Sequence, residues 1–289
     1  MTPGTDALSA ADKAVVLVEA LPYLRRFAGR VVVVKYGGNA MGDEAALARF
    51  AEDVVLLHSA GLKIVVVHGG GPQIGELMTR LGKVPAFVDG LRVTDAETLD
   101  IARMVLVGRV NRDLVGAINV HGPLAVGLSG EDARLLLATA RSPELGFVGD
   151  VEEVDPTIVQ RLLAEDLVPV VATIGSDEFS QPYNINADAA AAALAEALRA
   201  EKLVYLTDVE GIRADPADPA TLLPTLTVDE LDALITSGAV TTGMVPKAAG
   251  CVRAVKGGVG HAHVLDGRLH HALLLEIFTA AGVGTMVTS

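Results

Sequence analysis

Short apolar runs alternate with segments of helical periodicity along nearly the whole chain. Val31-Val32-Val33-Val34 and Ile64-Val65-Val66-Val67 are β-branched runs too short for a helix and bounded by glycine, so they read as strands buried on both faces of a parallel sheet. Val168-Pro169-Val170-Val171-Ala172-Thr173-Ile174 repeats the pattern, and 202–206 does so again. Shorter strands are expected at 124–128, 135–139, 147–151, 263–265 and 285–288. Between them, apolar positions recur at helical spacing. Leu47, Phe50, Val54 and Leu57 mark a helix over 43–60 that Gly61 stops, and further helices are expected over 72–81, from Thr94-Asp95-Ala96-Glu97 toward 120, over 156–166, and in the alanine-rich stretch after Asp188. The last three are expected over 228–236, from Pro246 onward, and over 271–281.

Ser9-Ala10-Ala11-Asp12 has the form of a capping box, followed by Ala14, Leu17, Val18, Leu21 and Leu24 on one helical face. Pro22 removes a backbone donor inside that helix, so a kink is expected there. The helix reads either as a packed arm or as an arm that joins oligomers. Strand and helix alternation predicts an α/β fold with a mostly parallel central sheet sandwiched between helices. The expected organisation is a kinked N-terminal helix at 1–28, an N-lobe at 29–200 that binds substrate and phosphate, and a C-lobe at 201–289 that binds nucleotide.

Composition narrows the function classes. The chain has 23 Lys and Arg against 36 Asp and Glu, a net charge of -13, which disfavours a nucleic-acid groove and requires cationic contacts to an anionic ligand to be few and local. Hydrophobic residues make up 51%, yet no uninterrupted run reaches the roughly 18 apolar residues a spanning helix needs, so no membrane association is expected. The first dozen residues lack the basic start and apolar block of a secretory signal. The single Cys251 cannot close an internal disulfide, and together these features fit a cytoplasmic protein.

Candidate chemistry gathers where strands end in glycine. The first strand delivers Lys35 to Tyr36-Gly37-Gly38, the position beyond a strand's carboxyl end where open α/β sheets bind ligands. Taken alone, Lys35 reads equally well as a lysine leaving the core for solvent. The second strand ends in His68-Gly69-Gly70-Gly71-Pro72, where successive glycines let backbone amides approach an anion at a helix N-terminus. No Gly-x-x-x-x-Gly-Lys-Ser/Thr string exists. Gly69-x-Gly71-x-x-x-Gly75 with Asp89 loosely imitates a dinucleotide fingerprint, but its spacing is one residue too long and it leaves Lys35 unexplained.

Phosphoryl transfer asks for positioning and charge neutralisation, which Lys35, Lys247 and two glycine loops supply. Asp188 can hold the lysines in place, or can merely favour the dipole of its own helix. The candidate loops carry no Ser-His-Asp set, no metal-spaced His/Cys cluster and no base beside a hydroxyl acceptor. A carboxylate acceptor, with a reference pKa of about 4.3, needs no base. Arg92 is then suited to clamp a second carboxylate with its planar fork, although alone it reads as a surface ion pair. His68 reads as a hydrogen-bonded turn residue rather than a catalyst.

Six ordered motifs together resemble the amino acid kinase family: Val33-Val34-Lys35-Tyr36-Gly37-Gly38-Asn39-Ala40-Met41, Val67-His68-Gly69-Gly70-Gly71-Pro72, Gly90-Leu91-Arg92-Val93-Thr94-Asp95, Asn184-Ile185-Asn186-Ala187-Asp188, Leu206-Thr207-Asp208-Val209-Glu210-Gly211 and Gly243-Met244-Val245-Pro246-Lys247. The resemblance implies ATP-dependent phosphorylation of the side-chain carboxylate of N-acetyl-L-glutamate in arginine biosynthesis. N-acetyl-aminoadipate, in lysine biosynthesis, is the neighbouring acceptor, and a non-catalytic amino-acid sensor on the same fold is the alternative.

It further implies that Lys35 and Lys247 stabilise the transferring phosphoryl group while Asp188 organises them. Gly37, Gly38, Thr207 and Asp208 would join both lysines on the nucleotide, and Gly70, Gly71, Arg92 and Asn184 would hold the acyl amino acid. Mg²⁺ would ride on the ATP phosphates and water, with no protein side chain as ligand. The N-terminal helix and the tail from His271 resemble the arginine-inhibited branch of the family, a hexamer built as a trimer of dimers. That likeness makes Tyr23, Lys202, Glu276 and Gly284 candidates for an arginine effector site.

Overall fold

The computed structural model of the chain describes residues 9–41, 44–241, 243–279 and 282–289. Expectations for the first eight residues, for the helix ends at Asp43 and at Ala280 and Ala281, and for the side chains of Asn39 and Ala40 lie outside the described residues. The β-branched runs form adjacent strands of one eight-stranded sheet. Its order is Thr225–Thr227, Thr285–Thr288, His261–Asp266, Lys202–Thr207, Val31–Tyr36, Lys63–His68, Val168–Ala172 and Ala125–Ser129. The six strands from His261–Asp266 onward are mutually parallel. Thr285–Thr288 runs antiparallel to its inner neighbour. The sheet is continuous through both expected lobes.

Alternation along the central strands divides the core in two. Val33, Val65, Val67 and Tyr205 face one buried cluster, whereas Val32, Val34, Ile64, Val66 and Val204 face the other. Helices cover both faces, so the strands have no polar face and the period-2 pattern disappears from their sequence. Lys35 pairs with Val67 on one side and Tyr205 on the other. That register places it at the mouth of the sheet.

Several expectations need correction. The strands expected at 135–139 and 147–151 lie in a separate small closed barrel, formed by Leu136–Ala140, Val148–Val154, Ile174–Ser176 and Pro182–Ile185. The apolar run 168–174 divides: Val168–Ala172 belongs to the main sheet and Ile174–Ser176 to the barrel. At Gly175 a side chain would meet the Leu136 carbonyl at 2.8 Å, so a barrel this narrow closes on a residue without one. The long helix expected from Thr94 is capped by Asp95, which accepts from the Thr98 amide at 2.8 Å, while the Thr94 hydroxyl donates to the Arg92 carbonyl. That helix, Ala96–Val105, passes through a π turn at Leu106–Val110 before continuing as Asn111–Asn119.

The first helix, Ala10–Phe27, carries the expected capping box at Ser9 and contains Pro22. Its Val15, Val16, Leu17, Val18 and Leu21 are between 51% and 72% exposed, and Phe27 is its one buried residue. Among the described residues no helix is long and apolar enough to cross a membrane.

Helices Ala187–Ala197 and Val245–Lys256 pack side by side over one face of the sheet. Buried Ala190 to Ala195 let them come close. The Tyr205 ring rises from its strand between them, and its hydroxyl donates to the Asp188 carbonyl at 3.0 Å. A side chain at Gly250 would overlap that hydroxyl. Gly250→Ala is therefore expected to cost ~1–3 kcal/mol in urea unfolding, and Tyr205→Phe in the same background should recover part of the loss because the clashing oxygen is gone.

Candidate active site

Three side chains from three elements meet at the carboxyl end of the sheet. Lys35 comes from the end of strand Val31–Tyr36, Asp188 from the first turn of helix Ala187–Ala197 and Lys247 from the first turn of helix Val245–Lys256. Asn186 caps the second element, accepting from the Asp188 and Ala189 amides at 2.9 and 3.1 Å, so the start of that helix is locally determined. Lys35 Nζ lies 3.0 Å from Asp188 Oδ1 and Lys247 Nζ lies 3.1 Å from Asp188 Oδ2. All three side chains are largely buried. Burial opposes ionisation of Asp188, but the two ammonium groups outweigh it and hold the carboxyl below its ordinary range. Two cations against one anion leave the cluster with one net positive charge.

A cavity of about 220 Å³ opens on this cluster, lined also by Gly38, Gly70, Gly71, Arg92 and Asn184. The two glycine loops touch: the Gly69 amide donates to the Tyr36 carbonyl at 3.2 Å, and a side chain at Gly37 would stand 3.2 Å from the Gly69 nitrogen and 3.3 Å from Lys35 Nζ. Among the described residues, the Gly70 and Gly71 amides have no acceptor. They open the helix Gly71–Arg80, where the dipole favours an anion.

Arg92 sits on the opposite wall. Its Nη2 donates to the Gly71 carbonyl at 2.8 Å and its guanidinium lies 4.8 Å from the centre of the Phe87 ring. Phe87 and Arg92 belong to a two-stranded hairpin turned at Asp89 and Gly90, both with positive φ. Asn184 Nδ2 donates to the Thr94 hydroxyl at 3.3 Å. Lys35, Asp188, the glycines Gly69 to Gly71 and Arg92 thus line one cavity, and Lys247 reaches its edge through Asp188.

Thr207 and Asp208 end the strand next to that of Lys35, with the Thr207 hydroxyl donating to Asp208 Oδ1 at 3.2 Å. They do not line the first cavity. The following residues Val209, Gly211 and Arg213 line a second one of about 80 Å³ with Val240 and Met244. Among the described residues, no group of three His, Cys, Asp or Glu side chains is arranged to hold a metal ion.

Tyr23, Lys202, Glu276 and Gly284 line a further cavity of about 320 Å³ between the first helix and the far end of the sheet. Sequence reasoning missed His263, which is fully buried behind the Lys202 and Glu276 side chains that line this cavity. Lys202 donates to His263 Nε2 at 2.9 Å, and His263 Nδ1 lies 2.8 Å from Glu276 Oε1. Burial opposes the charge on Glu276, but His263, the Val283 amide and Lys202 keep its carboxyl below the ordinary range. His263 lies two residues after His261 on a strand, and period-2 alternation was the one signal that could have aimed it at the Lys202 side of the sheet. Arg26, Phe27 and Thr279, also on this wall, carried no signal beyond helical spacing.

A model of the amino acid kinase family matches residues 30–266. An acetylglutamate kinase of Acidothermus cellulolyticus is 56% identical, covering 98% of this chain and 98% of its own. One from Saccharopolyspora erythraea is also 56% identical, covering 99% and 96% respectively. Among solved structures, the N-acetylglutamate synthase of Neisseria gonorrhoeae complexed with coenzyme A and N-acetyl-glutamate superposes with a TM-score of 0.83 at 28% identity, over 96% of this chain and 63% of that longer one. The same synthase complexed with coenzyme A and L-arginine gives 0.81 at 27% identity, over 95% and 65%.

His68 is also fully buried, behind the glycine loop. Burial drives its pKa down from 6.5 to about 4. Because the folded value is depressed, the unfolded chain binds the proton first as pH falls below 6.5, and the stability present above that pH is lost on the way to 4. Replacing His68 by Gln should therefore flatten the fall in unfolding free energy between pH 7 and 4.5 by ~2–3 kcal/mol, as read from urea unfolding at both pH values.

Proposed function

Because the chain belongs to the amino acid kinase family, we propose that it transfers the γ-phosphoryl group of ATP to the side-chain carboxylate of N-acetyl-L-glutamate. The product is N-acetyl-L-glutamyl 5-phosphate, an intermediate of arginine biosynthesis. The observation that carries this reading is the Asp188 carboxylate shared by Lys35 and Lys247 at the foot of two glycine loops, with Arg92 across the same cavity.

An ionised acceptor carboxylate attacks phosphorus directly, its oxygen forming the new bond as the bond to ADP breaks. No proton has to be removed from the acceptor at neutral pH. Both Asp188 oxygens face ammonium groups, so this residue orients cations rather than serving as a base. Lys35 and Lys247 meet the charge that spreads over the transferring group and onto ADP, joined by backbone amides of Gly37, Gly38, Gly70 and Gly71. The excess positive charge and the unpartnered glycine amides fit a polyphosphate. Mg²⁺ held by the phosphates and water would neutralise part of their charge. Arg92 and Asn184 hold the α-carboxylate and acetamido end, and Thr207 and Asp208 lead the nucleotide toward the cavity at Val209. In this scheme residues 29–200 supply the acceptor side and residues 201–289 the nucleotide side.

The cavity at Tyr23, Lys202, Glu276 and Gly284 serves as an arginine site, its ionised Glu276 facing a guanidinium or ammonium group. The apolar stripe Val15 to Leu21 packs against a second copy of the chain, which joins dimers into a hexamer and makes the first helix part of both effector site and assembly.

Incubation with ATP, Mg²⁺, N-acetyl-L-glutamate and hydroxylamine should yield a hydroxamate; no product would contradict the reading. Arg92→Ala should chiefly raise the KM for the acyl amino acid, whereas Lys247→Ala should lower kcat by ~10²–10³-fold with little change in that KM. Deleting residues 1–28 should abolish arginine inhibition and reduce the assembly to dimers by light scattering. Undiminished inhibition would refute the role of the arm.

A further inference from the structure

The mechanism above leaves His68 without a task, although the imidazole is wholly buried against the loop that carries the chemistry. Its Nδ1 lies 3.0 Å from the carbonyl oxygen of Gly69, the next residue. Its Nε2 lies 3.1 Å from Asn111 Nδ2. That amide nitrogen also reaches two carbonyl acceptors, Val170 at 2.9 Å and Leu128 at 3.4 Å, so the Asn111 side chain must present NH₂ here; one hydrogen goes to Val170 and the other to His68 Nε2, which is nearer than Leu128. Arg112 donates to Asn111 Oδ1, which fixes the same orientation from the other end. A nitrogen that accepts cannot carry the proton. The imidazole proton is therefore on Nδ1, pointing at the Gly69 carbonyl.

The consequence lies in the geometry of one peptide unit. The Gly69 carbonyl and the Gly70 N–H share a planar trans peptide, so they point in opposite directions. Drawing the carbonyl inward onto His68, which is absent from the cavity lining, turns the Gly70 N–H outward toward the cavity that Gly70 lines. The Gly70 amide has no other acceptor among the described residues. Glycine itself has little torsional preference, and without such an anchor the peptide plane can rotate. The π turn Leu106–Val110, just before Asn111, closes the back of the loop: a side chain at Gly70 would meet Leu106 Cδ2 at 2.7 Å and Val110 Cγ2 at 3.2 Å.

We propose that His68 is a positioning residue, held by Asn111 as the Nδ1–H tautomer, which locks the Gly69–Gly70 peptide so that the Gly70 N–H faces the transferring phosphoryl group. The assignment rests on the phosphoryl-transfer reading of this cavity. His68 neither touches substrate nor exchanges a proton with it. Its effect is preorganisation, so its loss falls on the step in which charge develops on the phosphoryl oxygens.

The test uses the full chain in the hydroxamate assay, with His68→Leu, which removes the donor, and His68→Asn, which keeps an N–H near the position of Nδ1. His68→Leu should lower kcat about tenfold while the KM values for ATP and N-acetyl-L-glutamate stay within about twofold, and His68→Asn should return kcat to within about threefold of the parent. In ¹⁵N-histidine spectra of the unsubstituted protein, the signal that disappears in His68→Asn should be that of a neutral imidazole protonated at Nδ1. A parental kcat in His68→Leu, equal losses in both variants, or an Nε2–H tautomer would each overturn the proposal. Should His68→Leu fail to fold, the tautomer and the His68→Asn kinetics still decide it. An unsubstituted chain that forms no hydroxamate contradicts the functional reading instead, whereas the outcomes above, in an active enzyme, contradict the positioning role alone.

Discussion

One carboxylate shared between two ammonium groups is the constraint on which the rest of this structure depends. Lys35, Asp188 and Lys247 are far apart in the chain, and each would be costly to bury alone. Together they are tolerated because Asp188 offers one oxygen to each lysine and the cluster opens to a cavity at one side. Meeting this geometry requires a strand that ends at the right register, two helices that begin at the same level, and helix faces thin enough to approach. The valine strand, the Asn186 cap, the proline start before Lys247 and the run of buried alanines meet those requirements in turn. Tyr205 and Gly250 complete the bracket, because the tyrosine hydroxyl reaches the Asp188 carbonyl through the space the glycine leaves.

The strand Lys202–Thr207 runs between the two proposed ligand sites. Lys202 begins it, in the far cavity with Glu276 and against buried His263, and Thr207 ends it beside the proposed site of transfer. Tyr205 pairs with Lys35 across one strand boundary, and Lys202 pairs with Val32 across the same boundary. A doubly buried strand therefore runs from the proposed effector site to the pairing partner of Lys35, the proposed catalytic lysine. On the proposed arginine reading, a shift of Lys202 or of the first helix has a short physical route to the Lys35 cluster, through backbone pairing rather than through a chain of loose contacts.

Much of this was legible in the sequence because the signals are local. Buried parallel strands show as unbroken β-branched runs, and glycines at strand ends mark where backbone approaches an anion. Lys35, Arg92, Asp188 and Lys247 stand out because a charged residue follows or opens such an element. What was not legible depends on distant pairing. The small barrel takes its strands from segments that look, locally, like further strands of the main sheet, and the split at Thr173 is decided by the partners on either side of it. Thr94 resembles a cap, yet Asp95 takes that place, and the Thr94 hydroxyl donates instead to the Arg92 carbonyl. Asn111, Tyr205 and His263 act through neighbours many positions away, and nothing in their flanking residues announces it.

The central claim is that this charge cluster directs phosphate onto a carboxylate rather than onto water. Isotope transfer tests it most directly: N-acetyl-L-glutamate labelled with ¹⁸O in its side-chain carboxylate is incubated with ATP, Mg²⁺ and the protein, and the product is trapped with hydroxylamine. Hydroxylamine attacks the acyl carbon and expels phosphate that keeps the bridging oxygen. The account predicts one ¹⁸O atom in the released phosphate, detected by the isotope shift of its ³¹P resonance. Phosphate free of ¹⁸O would mean that water had taken the phosphoryl group, and would contradict it.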